Sequence, residues 1–323
     1  MKIRIFVSKR IDVTSLNIKN SLYFPVLCGG IFSDSKCNNI FYDDTGINIS
    51  TKRSSFCEFT VQYWAWKNFE EDYYGLCHYR RFLTFTEKIF KTDSLGVIQE
   101  MFLDSVTIKK YDLDNEFCMK QTIIANDVIV NQRADVTKIP TPRGFQKTVY
   151  DHWIAHDRVF LDKRVLPIFT EVIQRRFPEY YEAATEYLHG KWHRGYNCYV
   201  MRRDLFQNMC EFQFGVMFEM EKILANTTYT KGFERTIGYL GEIMYGIYIY
   251  YLQKQHTYRI KEVQLVYFEQ TEIPDSLPQY YMQKALCWMK IHFEGIGYVL
   301  LPKASKRRNF IKKIYFRLTK KNK

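Results

Sequence analysis

Between Asn48 and Leu83 the chain reads NISTKRSSFCEFTVQYWAWKNFEEDYYGLCHYRRFL, which sets a helix, an acidic joint, a short apolar strand and a cationic tip in immediate succession. Ser54 or Ser55 is placed to cap a helix over about 55–69, with Glu58 reaching back as in a capping box. Glu70-Glu71-Asp72 marks the turn out of it. Tyr73 to His78 is a short apolar run with one Gly, the pattern of a buried strand. In an open α/β sheet the carboxyl end of such a strand opens on the ligand crevice. If the strand stays extended to Arg80, His78 and Arg80 share a face, because side chains alternate with period two. A guanidinium there can grip phosphate oxygens through two parallel hydrogen bonds. The competing use of Arg80 and Arg81 is structural, in ion pairs with Asp43, Asp44 or Glu58.

Elsewhere strand-like and helix-like segments alternate. Strands are expected at 2–7, 73–78, 122–130 and 196–201, and helices at 55–69, 92–104, 146–158, 163–176, 204–224 and 235–253. That alternation argues for an α/β sheet. Asn131 to Thr148, with two Pro and a Gly, reads as a loop able to close over a ligand. No internal repeat is evident. His152 with His156 and His189 with His193 have the spacing of zinc-binding pairs, but Trp153 and Gly190 stand where zinc hydrolases carry Glu, so no metal site is assigned to them.

Three groups of residues resemble one family. The first pairs Asp44-Thr45-Gly46-x-Asn48-Ile49-Ser50 with Phe56-Cys57-Glu58-Phe59-Thr60, Tyr63-Trp64-Ala65-Trp66-Lys67-Asn68 and Gly75-Leu76-Cys77-His78-Tyr79-Arg80-Arg81; the others are Tyr196 to Arg203 and Gly238-Tyr239-Leu240-Gly241-Glu242. They are similar to the family described as domain of unknown function 4422, found in capsular and lipopolysaccharide synthesis loci and regarded as glycosyltransferases, over most of residues 1–255. The chain departs from that pattern at Asp43 or Asp44, at Ile47 and at Ser8, positions that bear on base and ribose recognition. The resemblance implies a GT-A-like (Rossmann-like) glycosyltransferase domain over 1–255; beyond it the residues themselves read as a helical C-terminal extension over 256–302 and a basic amphipathic, membrane-associating tail over 303–323. It also implies transfer of a hexose or galactofuranose-type sugar from a nucleotide diphosphate sugar, such as a UDP-sugar, to a hydroxyl of a lipid-linked capsular, exopolysaccharide or lipopolysaccharide intermediate. A non-catalytic nucleotide-sugar binding protein is the alternative. A nucleotide hydrolase or phosphotransferase is disfavoured by the lack of a Walker-type phosphate loop.

Related enzymes usually end the corresponding strand in Asp-x-Asp, which holds a divalent cation against the diphosphate. Here the same positions read His78-Tyr79-Arg80. No cofactor is therefore expected to be required, with Mn or Mg the metals to test. Arg80 is expected to hold the leaving diphosphate, assisted by His78, Arg81 and Lys52. Thr60 and Lys67, seven apart on one helix face, are expected to border the donor. Asn197 and His156 are assigned to the acceptor side. An inverting transfer needs a carboxylate beside the acceptor hydroxyl; Glu242 is the first choice, with Asp157, and after it Asp127, as secondary candidates. Glu242 has a structural alternative as well, a salt bridge to Arg235 or Arg80.

Composition fits a globular enzyme: 46% hydrophobic and 25% charged residues, with 17% aromatic residues to fill a large core. The opening Met1 to Val7 is strand-like and too short for a signal peptide, and no stretch approaches the ~20 apolar residues a membrane span needs. Eight Cys without a Cys-x-x-Cys are expected as reduced thiols. The net charge of +12 is concentrated: 302–323 holds ten Lys or Arg and no acid, leaving +2 for everything before it. Phe310, Ile311, Ile314, Tyr315 and Leu318 fall on one arc of that tail, the pattern of an interfacial amphipathic helix. The expectation is a cytoplasmic protein peripheral to the anionic inner face of the cell membrane. A nearly neutral body without a nucleic-acid motif argues against nucleic acid as a partner.

Overall fold

The computed structural model describes residues 1–34, 39–293, 297, 300–301 and 305–319, with side chains of the last helix described to residue 314. Ten strands form one mixed sheet: β1 Ile3–Lys9, β2 Tyr23–Leu27, β3 Phe41–Tyr42, β4 Tyr73–His78, β5 Arg81–Leu83, β6 Val97–Phe102, β7 Val128–Asn131, β8 Tyr199–Arg202, β9 Ile260–Val263 and β10 Leu265–Gln270. The main path runs β9-β7-β8-β4-β1-β2-β3; β5 continues from β4 and joins β10, which pairs with β6. Strands β3, β2, β1 and β4 are mutually parallel, and β8 is inserted antiparallel between β4 and β7. The carboxyl ends of β1, β2, β4 and β7 therefore open on one edge, where open α/β sheets bind ligands.

β4 is central because both its faces are apolar. Tyr74 stacks on Phe206 at 4.3 Å, while Tyr73 and Cys77 join the opposite layer with Ile5 and Val7. Gly75 is needed for the close approach of β1 and β8: a Cβ there would sit 2.9 Å from Ile5 and 3.0 Å from the Tyr199 carbonyl. One face is covered by α1 Arg53–Phe56, α2 Phe59–Asn68, α6 Val165–Arg176, α7 Pro178–His189, α8 Arg203–Ala225 and α9 Thr236–Gln255; α3 Ser105–Lys110 and α4 Glu116–Ile124 lie before β7, and α5 Val149–Ile154 precedes α6. The chain ends in α10 Leu277–His292 and α11 Lys306–Thr319. The described cysteines are all free thiols.

Several sequence expectations need correction. The helix expected over 55–69 is broken at Cys57, whose φ is +53°, and the Ser–Glu58 capping box does not form. Segment 92–104 holds β6 rather than a helix: Gly96 turns at φ +73°, and Val97, Ile98, Met101 and Phe102 are buried where β6 pairs with β10. Residues 116–124 are helical, capped by Asn115, so the strand expected over 122–130 begins only at Val128. Residue 255 is no structural boundary, because β9 and β10 belong to the same sheet as β1. The loop 131–148 contains a short ribbon of Pro140–Thr141 with Gly144–Phe145. In α11, Phe310, Ile311 and Ile314 are exposed; the Tyr315 and Leu318 side chains lie outside the described residues.

Candidate active site

The strand ends converge on a cleft of about 720 Å³. β4 stops at His78, Tyr79 and Arg80 turn, and Arg81 pairs back with His78 to start β5. This hairpin replaces the extended alternation expected from the sequence, yet His78, Arg80 and Arg81 all line the cleft. They are joined by Arg10, one residue past β1, by Arg53 of α1 and by Arg235 just before α9. Among the described residues, five guanidinium groups thus line one cavity with two carboxylates, Glu58 and Glu242, while Asp12 pairs with both Arg10 and Arg53. Such an excess of fixed positive charge favours an anion.

The tip is held from behind. The Arg80 guanidinium lies over the rings of Tyr79 and Tyr267, and its Nη1 donates to the Glu269 carbonyl at 3.3 Å. Arg81 lies over Tyr196. His78 Nδ1, Arg80 Nε and Arg81 Nε are all buried without a hydrogen-bond partner among the described residues. Buried polar atoms are rarely left so in folded proteins, and here three of them cluster at one cleft. Burial, then the neighbouring Arg81, Arg80, Arg10 and Arg235, holds the His78 imidazole well below its ordinary pKa. His78 is accordingly neutral at pH 7, offering a hydrogen bond rather than a charge.

Glu242 stands on the second turn of α9. It reaches the cleft because α9 runs close to the helices beneath it: a Cβ on Gly241 would lie 2.4 Å from the Phe59 ring, and one on Gly238 3.3 Å from the Ser55 carbonyl. Its Oε1 accepts the Tyr196 N–H at 2.5 Å and rests against Gly195, where an added Cβ would come within 2.6 Å. Burial raises the Glu242 pKa above the ordinary carboxylate value; Arg81 and the Tyr196 N–H oppose that rise, and Glu58 adds to it. The structural alternative for Glu242 does not materialise, since no ion pair to Arg235 or Arg80 forms among the described residues.

Tyr196 and Asn197 both have positive φ, +78° and +47°. That conformation is uncommon for any residue but Gly, and for Tyr it is strained. The joint serves both cleft acids: the Tyr196 N–H holds Glu242, and the Asn197 amide Nδ2 donates to Glu58 Oε1 at 3.2 Å. The break at Cys57 is what turns Glu58 toward the cleft instead of leaving it to cap a helix.

The remaining wall is aromatic and imidazole: His152, Trp153, His156, Phe160, His193 and Tyr239. Phe160 and Tyr239 lie 5.2 Å apart, Trp153 and Tyr239 6.0 Å. Tyr187 Oη meets His193 Nδ1 at 2.9 Å, and burial, then Arg194, lowers the His193 pKa to about 4. Such a wall, flat and apolar with polar edges, suits a sugar ring.

The structure uses five sequence candidates elsewhere. Thr60 is fully buried and donates to Asp43, a carboxylate that also takes the Gly29 and Gly30 N–H groups and the Ser50 hydroxyl. Lys52 is paired with Glu221 at 2.8 Å. Lys67 lies over the Trp66 ring on the outer side of α2. Asp157 accepts the Lys163 N–H and pairs with Arg143 at 3.5 Å, and Asp127 is paired with Arg202 at 2.8 Å. None of these lines the cleft. Asn197 is 2% exposed and acts on Glu58 rather than on the cleft directly. The residues not anticipated as site residues are the charged Arg10, Arg53, Arg235 and Glu58 and the wall residues Trp153, Phe160, His193 and Tyr239. Only Arg10 left a usable signal, as a cation at the carboxyl end of the first strand.

Comparison with known proteins adds two findings. The family model described as "Domain of unknown function (DUF4422)" matches residues 2–255. The chain is also similar to the apo structure of the bifunctional glycosyltransferase WbbM, with 28% identity and a TM-score of 0.74, over 84% of this chain and 46% of that one. The chain thus spans about half the length of that enzyme. None of the curated proteins compared matches it.

Proposed function

The chain belongs to the DUF4422 family, and from that premise we propose that it is a metal-independent glycosyltransferase, moving a hexose or galactofuranose-type sugar from a nucleotide diphosphate sugar to a hydroxyl of a lipid-linked polysaccharide intermediate. The observation that carries this reading is the cleft at the strand ends, where buried nitrogens of His78, Arg80 and Arg81 lack a partner among the described residues and Arg10, Arg53 and Arg235 stand beside them. The likeness to a bifunctional glycosyltransferase supports it.

The diphosphate lies against Arg80 and Arg81, with His78 as a neutral donor and Arg10 and Arg235 completing the charge. A divalent ion is poorly served here, because the nearest groups to the phosphates are cations. The guanidinium groups instead take up the charge that develops on the leaving diphosphate. The acceptor ring rests on the Trp153, Phe160 and Tyr239 wall, with His156 at its edge. Its hydroxyl oxygen bonds to the anomeric carbon as the bond from that carbon to the diphosphate oxygen breaks. The hydroxyl proton passes to Glu242, and the bonding electrons leave with the nucleoside diphosphate. Asn197 and the Tyr196 N–H position Glu58 and Glu242. On this reading the protein works at an anionic membrane surface, where the lipid-linked acceptor lies; no helix among the described residues is long and apolar enough to cross the bilayer.

A panel of nucleotide sugars tests the proposal. One donor is expected to raise the Tm and to turn over with a hydroxyl acceptor in the presence of chelator. Loss of all turnover in chelator with recovery on adding manganese would overturn the metal-independent mechanism. Stabilisation by no nucleotide sugar would overturn the functional assignment.

A further inference from the structure

α10 is an amphipathic helix turned the unexpected way round. Its inner side packs on β6 through polar anchors: Tyr280 stacks on Phe102 and donates to Asp104 at 2.7 Å, Gln283 and Cys287 are buried, and Lys290 pairs with Glu269. Its outer arc carries Leu277, Tyr281, Met282, Trp288, Met289 and, just past its end, Phe293, each between 39% and 70% exposed. At 100° per residue these six positions span less than half the helix circumference, and with His292 stacked on Trp288 among them they form one largely apolar strip. Single exposed apolar residues need no explanation, but a contiguous strip of this kind marks an interaction surface.

Charge identifies the occupant. From Ser276 to the C-terminus the sequence has twelve Lys and Arg against one acid, Glu294. α11 follows with Phe310, Ile311 and Ile314 exposed together on one side. A second copy would bring the same positive charge against itself, whereas an anionic lipid leaflet attracts it. Trp and Tyr are also the rings that settle at the headgroup boundary.

We propose that the outer arc of α10 inserts into the interfacial region of an anionic membrane, making it a second lipid contact beside the basic tail. The proposal rests on the membrane location in the functional reading above. It also changes that reading's division of labour: the tail supplies long-range attraction, and α10, packed on β6 of the catalytic sheet, fixes the orientation of the body.

Three proteins are compared first: the full chain, the full chain with Leu277→Ser, Tyr281→Ser and Trp288→Ser, and the chain lacking 303–323. Each is mixed with vesicles of phosphatidylglycerol and phosphatidylcholine and sedimented. Because the substituted residues are exposed, the triple variant is expected to keep its thermal transition and to bind at least tenfold more weakly than the parent. The truncated chain is expected to keep weaker binding that salt affects little. A Trp288→Phe variant provides a readout independent of folding losses: brominated lipid should quench the parent more than this variant, by the share that Trp288 contributes.

Parent-like binding by the triple variant, with no Trp288 quenching and complete loss on truncation, would overturn the α10 contact and leave the tail as the anchor. Failure of the full chain to bind these vesicles would overturn both the contact and the membrane location. Self-association that the triple variant abolishes would assign the strip to a second copy and overturn the lipid proposal.

Discussion

In the proposed transfer, Glu242 concentrates the chemistry of the site in one side chain. As a base it must be ionised, so turnover falls as the pH drops through its pKa. Burial raises that pKa, and the fall therefore begins at a higher pH than the ~4.3 of an ordinary glutamate. Glu242→Gln should lower kcat by about 10²- to 10⁴-fold, the usual contribution of a positioned base. It should also remove the acidic limb of the pH profile while leaving donor affinity nearly unchanged. Arg80→Lys should act differently: a point charge cannot reproduce the two-pronged contact, so nucleoside diphosphate affinity, read by calorimetry, falls together with kcat. Thr60→Val is the control for a side chain placed near the donor by spacing alone. It removes one hydrogen bond to a buried carboxylate, should cost about 1.5–3 kcal/mol of stability, and should leave the donor KM where it was. A spacing of seven told which residues share a face of α2 but not whether that face meets the cleft or Asp43. The same ambiguity misplaced Lys67.

Between elements, the site depends on how closely α9 lies on α1 and α2. Gly238 and Gly241 permit that approach, and Gly195 leaves room for the Glu242 carboxylate. Gly241→Ala forces a methyl group into the Phe59 ring. Overpacking of this kind costs typically about 1–3 kcal/mol, and the shift of α9 would carry Glu242 off its Tyr196 contact. A lowered Tm together with a kcat loss larger than any change in donor affinity is the expected pair of results. An unchanged kcat would mean that α9 absorbs the methyl group without moving the base. The strand Tyr73–His78 and its basic tip were legible because a doubly apolar run, one Gly and abrupt charge leave few alternatives. Glu58 was not: its pattern fitted a helix cap, and only the turn at Cys57, a positive φ at a residue other than Gly, redirects it. The helix expected over 92–104 failed for a related reason. Apolar pairs separated by two polar residues fit both periods, and the partner strand that decides between them lies more than 160 residues away.

Over the whole molecule, distant segments meet at the site. Arg10, Arg53 and Arg235 come from three separate elements, so no local pattern could have grouped them. The C-terminal segment is equally integral. β10 buries Leu265, Val266 and Phe268 completely, the Phe268 N–H donates to the Arg80 carbonyl at 2.8 Å, and Arg80 Nη1 donates to the Glu269 carbonyl. The cationic tip is therefore fixed by residues beyond the family match at 2–255. Cutting the chain after 255 removes β9 and β10, and the loss of three fully buried side chains alone forfeits roughly 5–9 kcal/mol. That is comparable to the entire stability of an ordinary domain, about 5–15 kcal/mol. Residues 1–255 alone should show no cooperative thermal transition and no binding of nucleoside diphosphate. Residues 1–302 keep the whole sheet and the cleft, so they should melt within a few degrees of the full chain and keep its donor affinity and its turnover on a short water-soluble acceptor. Calorimetric scans of the two truncated proteins separate these cases. A cooperative transition in 1–255 with parent-like donor affinity would show that β10 covers the core without holding the tip, and that the Arg80 contacts to the C-terminal segment are dispensable for the site.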